Sequence, residues 1–164
     1  MIRQYRAEDF GFISDWMEDE RTHALWCAGR TSYPLSRESF DEFLSAISER
    51  SGDVPFVMTD DSGSVDGFFC YSINQETMEG MLKFVMVDPR KRGRGLGREM
   101  IRQAVEYAFS STSAEAVQLM VFDVNERARK CYESAGFTER GRTPDAFVFK
   151  GASWARVNMV IKKG

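Results

Sequence analysis

Val85-Met86-Val87-Asp88-Pro89-Arg90-Lys91-Arg92-Gly93-Arg94-Gly95-Leu96-Gly97-Arg98 is the stretch that decides the reading of this chain. An apolar strand runs into a basic, glycine-rich turn, and the turn opens directly into a helix. A helix N-terminus leaves backbone N–H groups unpaired and carries partial positive charge, and phosphate oxygens complement both. Gly93, Gly95 and Gly97 remove side chains and relax the backbone, while Arg92, Arg94 and Arg98 add cationic donors. A pyrophosphate is the ligand this turn suits. The dinucleotide pattern G-x-G-x-x-G fails, because Arg98 stands where the third glycine belongs. The P-loop pattern fails for want of Gly-Lys-Ser/Thr.

Working outward, residues 81–87 read as a strand that is apolar almost throughout and therefore central. After the turn, Leu96, Met100, Ile101, Ala104, Val105, Ala108 and Phe109 fall at helical spacing. A buried strand is expected over 116–122. Asn125 then caps a short helix carrying Ala128, Cys131, Tyr132 and Ala135, which Gly136 stops. Residues 2–6 read as a first strand and 8–19 as a helix with Phe10, Ile13, Trp16 and Met17 on one face. Residues 36–50 form another helix, with Ser36 as cap and no full capping box. Strands over 54–59 and 65–72 flank a hairpin signal at 60–64. Residues 137–143 and 155–162 read as closing strands, and 144–154 as another hairpin or a loop over the site. The expected fold is α+β: a mixed, largely antiparallel sheet flanked by helices, in a single domain over 1–164.

The 164 residues carry a net charge of −3, which gives no global attraction to nucleic acid or an anionic membrane. Cys27, Cys70 and Cys131 are too few and too irregularly spaced for a disulfide framework or a zinc site, so no metal is expected. The first residues lack a signal-peptide apolar region, no run is apolar enough to span a bilayer, and a cytoplasmic setting is expected.

At the glycine turn the chain resembles the GNAT superfamily of acyl-coenzyme A N-acyltransferases, whose signature is Arg/Gln-x-x-Gly-x-Gly/Ala. Arg92-Gly93-Arg94-Gly95-Leu96-Gly97 fits it without a gap. A second block, Leu119-x-Val121-x-x-x-Asn125-x-x-Ala128-x-x-x-Tyr132-Glu133-x-x-Gly136-Phe137, agrees in the right order. The aromatic ending looks most like the branch of ribosomal-protein N-terminal acetyltransferases.

The resemblance implies acetyl-CoA as co-substrate and an amine acceptor, a small molecule or a protein N-terminus, with the protein a monomer or homodimer. It implies that Val85, Met86 and Val87 offer backbone groups to the pantetheine arm, in a gap beside a splayed strand. Arg92, Gly93, Arg94, Gly95, Leu96, Gly97 and Arg98 would hold the pyrophosphate. Asn125 would reach the cofactor arm or serve as a helix cap. Tyr132 would act as general acid toward the leaving thiolate, or be a core tyrosine.

Where many relatives carry a glutamate base, this chain has Met81 and Met120. Glu79, Asp123 and His23 remain as candidate bases, or are simply a turn residue, a loop residue and an ordinary histidine, alongside water or no base. A site without a base is easier to reconcile with a weakly basic amine. At pH 7 an α-amine is roughly 10–15% neutral and a lysine only about 1 part in 2,500, a gap of about 3.5 kcal/mol. Trp26, Tyr33, Phe68, Phe147 and Trp154 are candidates to line the acceptor end, although aromatics at such places are more often core. Two rivals stand beside the enzyme: a noncatalytic acyl-CoA sensor on the same fold, and a nucleotide-binding protein.

Overall fold

The computed structural model describes residues 1–164. Seven strands form one sheet in the order β1-β2-β3-β4-β5-β7-β6. They are β1 (Ile2–Gln4), β2 (Val54–Thr59), β3 (Val65–Asn74), β4 (Glu79–Val87), β5 (Ala116–Phe122), β6 (Thr138–Phe149) and β7 (Ala152–Lys162). Every neighbouring pair is antiparallel except β4 and β5, which the helix α4 (Leu96–Ser111) connects as a parallel crossover. The mixed sheet with flanking helices is the architecture expected from the sequence.

Each face of the sheet carries its own core. Phe56, Met58, Phe69 and Tyr71 point to one face, where they meet Met100, Ile101, Ala104 and Ala108 of α4. Val57, Phe68 and Cys70 point to the other, where they meet Phe40, Phe43 and Ile47 of α3 (Arg37–Ser51) and Phe10 and Ile13 of α1 (Phe10–Ile13). Successive residues of β2 and β3 thus alternate between two apolar layers, which is why the middles of these strands, Phe56–Met58 and Phe68–Tyr71, read as continuous apolar runs.

In β4 the alternation slips. Leu82 joins the α4 layer, yet Met86 joins the α3 layer, although the two are four residues apart. The register explains it: Cys70 pairs with Lys83 and Phe68 with Met86, so Phe69 faces both Phe84 and Val85. This β-bulge inserts one residue and flips every side chain beyond it to the opposite face.

The structure corrects four local expectations. The helix expected over 8–19 is a 3-10 turn, Ala7–Asp9, followed by the single turn α1. Asp19 ends any continuation by accepting a hydrogen bond from the Thr22 N–H at 2.7 Å, which starts a separate helix α2 (Glu20–Cys27) that the sequence reading missed. The four apolar residues of that segment are buried all the same. The cap of α3 is a full capping box, because the Ser39 hydroxyl accepts from the Ser36 N–H at 3.2 Å in place of a glutamate. The closing strands are longer than expected and make one long hairpin, turning at Lys150-Gly151 with φ of 45° and 83°.

Candidate active site

β4 and β5 pair only as far as Leu82–Leu119. Beyond that point β4 continues to Val87 and β5 to Phe122 with no ladder between them. The gap widens into a cleft of about 1160 Å³, lined by Leu82 and Phe84–Val87 on one wall and by Met120, Val121 and the start of α5 (Glu126–Ser134) on the other. A parallel pair that separates leaves one side of β4 open to hydrogen bonding by an extended ligand.

At one end of the cleft stands the N-terminus of α4. Gly95 occupies the N-cap position at φ 75° with no side-chain cap, so the first N–H groups of the helix stay free. Gly93 is also left-handed, at φ 79°, and a side chain at either position would be strained. Gly97 has a different role. A Cβ there would sit 3.2 Å from the Cys131 sulfur and 3.7 Å from Val87, so it lets α4 and α5 approach.

The cations sort themselves by partner. Arg90 is held by Asp88 through Nε and Nη2, each at 3.0 Å, and Lys91 is held by Asp66. Arg92 and Arg98 line the cleft free of any ion pair. Arg94 does not line this cleft; it borders a smaller one beside Asp15 and Asp88. The free helix end, the two glycines and the unpaired arginines suit a pyrophosphate. The open strand edge suits the amides of a pantetheine arm.

Asn125 and Tyr132 both line the cleft. The Asn125 side chain also caps α5, accepting from the Ala128 N–H at 3.4 Å, so cap and cleft residue are one. Tyr132 is buried, and burial pushes its phenol well above the usual range. It therefore keeps its proton at neutral pH.

The three proposed bases lie elsewhere. Glu79 sits at the far end of β4, held below the usual carboxylate range by Arg140, which grips it at 2.7 and 3.0 Å. Asp123 accepts from the Ala155 N–H at 3.0 Å. His23 is buried between Trp26, Tyr33 and Cys27, with its pKa lowered by burial. Glu126 is the one carboxylate among the lining residues. Of the aromatics weighed for the acceptor end, Trp26 lines the cleft, and Tyr33, Phe68, Phe147 and Trp154 do not. Phe68 is core, and Trp154 packs against Phe122, Phe147 and Phe149. Sequence reasoning missed Trp16, Met17, Arg21 and Thr22, which the break in the first helix swings onto the cleft wall. The side-chain cap at Asp19 was the signal that could have found them.

Phe84 holds the bulge. Its φ of 54° is left-handed for a bulky residue, at a cost of about 1–3 kcal/mol. The surroundings hold it there: Phe43 meets its ring edge-on at 4.9 Å, and the Trp26 indole N–H donates to its carbonyl at 2.8 Å.

The profile of the acetyltransferase (GNAT) family matches residues 11–137. The chain belongs to the GNAT family. As a GNAT protein it is an acetyl-CoA-dependent N-acetyltransferase. It is 30% identical to a spermidine N(1)-acetyltransferase of Vibrio cholerae over 154 residues, covering 92% of this chain and 85% of that one. It is 24% identical over 161 residues to an aminoglycoside N(6')-acetyltransferase type 1 of Klebsiella pneumoniae, covering 88% and 77%. The fold matches the crystal structure of a Vibrio cholerae spermidine N-acetyltransferase in complex with CoA and spermine. There the TM-score is 0.83 at 21% identity, covering 99% of this GNAT chain and 94% of that one.

Proposed function

We propose that the protein acetylates the primary amine of a small molecule by direct attack of the amine on the acetyl donor, with Tyr132 as general acid. The observation that carries this is the continuity of the cleft: it runs from the α4 N-terminus along the open edge of β4 to a wall built by Trp16, Arg21 and Trp26. Acetyl-CoA supplies an activated acetyl thioester. Val85, Met86 and Val87 bind its extended arm through backbone groups. Arg92, Gly93, Gly95, Leu96, Gly97 and Arg98 form the phosphate end, with Arg94 acting from just outside the cleft. Asn125 orients the arm. Tyr132 donates its proton at the departing sulfur, and burial disfavours phenolate and thiolate alike. The small-amine preference over a peptide N-terminus rests on the activities named for the relatives.

A peptide N-terminus, a weakly basic amine that makes little demand for a base, is the second reading of the acceptor. It is favoured by Met120 on the cleft wall and by Glu79, Asp123 and His23 all standing away from it.

One experiment separates the two. Acetyl-CoA binding is measured by calorimetry, and thiol release is followed with spermidine, an aminoglycoside and a short peptide as acceptors. Release with a small amine is the expected outcome. Release with the peptide alone would move the acceptor to a protein N-terminus, and binding without release across the panel would overturn both readings.

A further inference from the structure

One hydrogen bond ties the bulge in β4 to the α2 wall of the cleft. Trp26, on α2, reaches 58 residues along the sequence to donate its indole N–H to the Phe84 carbonyl at 2.8 Å. The Phe84–Val85 peptide is trans, so its carbonyl and the Val85 N–H point in opposite directions. A carbonyl pinned toward α2 therefore fixes the Val85 N–H on the side away from α2. This peptide sits where β4 has already left β5, and both of its residues line the cleft.

We propose that Trp26 is a positioning residue: by holding the Phe84 carbonyl it sets the backbone N–H of the splayed strand to meet the oxygen that gains negative charge during acetyl transfer. The proposal rests on the transferase reading above and adds the group that orients the donor. A donor set in advance stabilises developing charge without reorganising at the moment of reaction. Without the pin, the left-handed Phe84 keeps its ring contacts with Phe43 and Arg30 but loses the hydrogen bond that fixes its carbonyl, and the peptide can rotate toward the extended region. Trp26 is otherwise an aromatic wall residue, packed near Phe40, Phe43 and Phe68. A packing role and a positioning role therefore give different results when the N–H alone is removed.

The test is Trp26→Phe, which keeps an aromatic wall and deletes the N–H. The expected result is a fall in kcat of about ten- to a hundredfold, equal for every acceptor. Acetyl-CoA affinity should stay within about threefold, and the slow hydrolysis of acetyl-CoA without amine should fall in parallel. Unchanged kcat, or a loss confined to the KM of one acceptor, would overturn the positioning role and leave a wall residue. Where Trp26→Phe fails to fold, benzothienylalanine at position 26 keeps the indole shape and puts sulfur in place of the N–H. The same outcomes then apply. If the wild type bound acetyl-CoA but acetylated no amine, the transferase reading would fall, while the hydrolysis arm would still report on Trp26.

Discussion

Two residues make sharp demands on chemistry. Burial raises the Tyr132 phenol, so its proton stays in place far into alkaline solution. Tyr132→Phe is expected to keep acetyl-CoA binding by calorimetry and to lower turnover by about a hundredfold. The wild-type rate should show no alkaline fall near pH 10 from this group. His23 is the single histidine of the chain and is buried with a lowered pKa. The unfolded chain therefore binds a proton more readily than the native protein. Its contribution is intact above the unfolded value, about 6.5, and drains away as pH falls toward the lower folded value. Melting temperature should drop between pH 7 and 5, and His23→Asn should flatten that slope. Paired carboxylates such as Asp9, whose pKa is also lowered, lose their contribution at more acidic pH.

Among the elements, the strand–turn–helix around Gly95 and the capped helix at Asn125 were legible in the sequence, because local chemistry alone specifies them: glycine at positive φ, an Asx cap, a helical stripe. The bulge was not. All four residues from Phe84 to Val87 are apolar, so a slip in their alternation leaves no polar residue on the wrong face to reveal it. α2 was hidden for a related reason. Its apolar residues, Ala24-Leu25-Trp26-Cys27, run together instead of recurring at helical spacing, and the packing of Trp26 on distant aromatics defines it more than its own periodicity does. The site followed the same division. The end at the α4 N-terminus is built from local signals, whereas the wall of Trp16, Arg21 and Trp26 depends on where a broken helix lies against the sheet. Gly80 shows how tightly β4 is laid down: a Cβ there would come within 2.6 Å of the Tyr71 ring, whose hydroxyl pairs with Thr112 at 2.9 Å. Gly80→Ala should cost about 1–3 kcal/mol, read as a lower denaturation midpoint at unchanged slope.

For the molecule as a whole, the cleft is bounded by both layers of the core. Tyr132 and Leu82 belong to the α4 layer, and Met86, Trp16 and Met17 to the α3 layer. A ligand that fills the gap therefore couples two apolar layers that otherwise meet only through the sheet. Acetyl-CoA at about 100 times its Kd should add about 2.7 kcal/mol of stability, a rise of several degrees in Tm by calorimetry. Absence of any shift at saturation would count against the cleft as the donor site. The same boundary has an optical consequence. Two of the three tryptophans, Trp16 and Trp26, face the cleft, while Trp154 is stacked on Phe149 away from it. Near-ultraviolet emission from the unlabelled protein thus originates largely beside the cleft. The chain carries its own fluorophore for stopped-flow measurement of ligand arrival there, separately from the chemistry that follows.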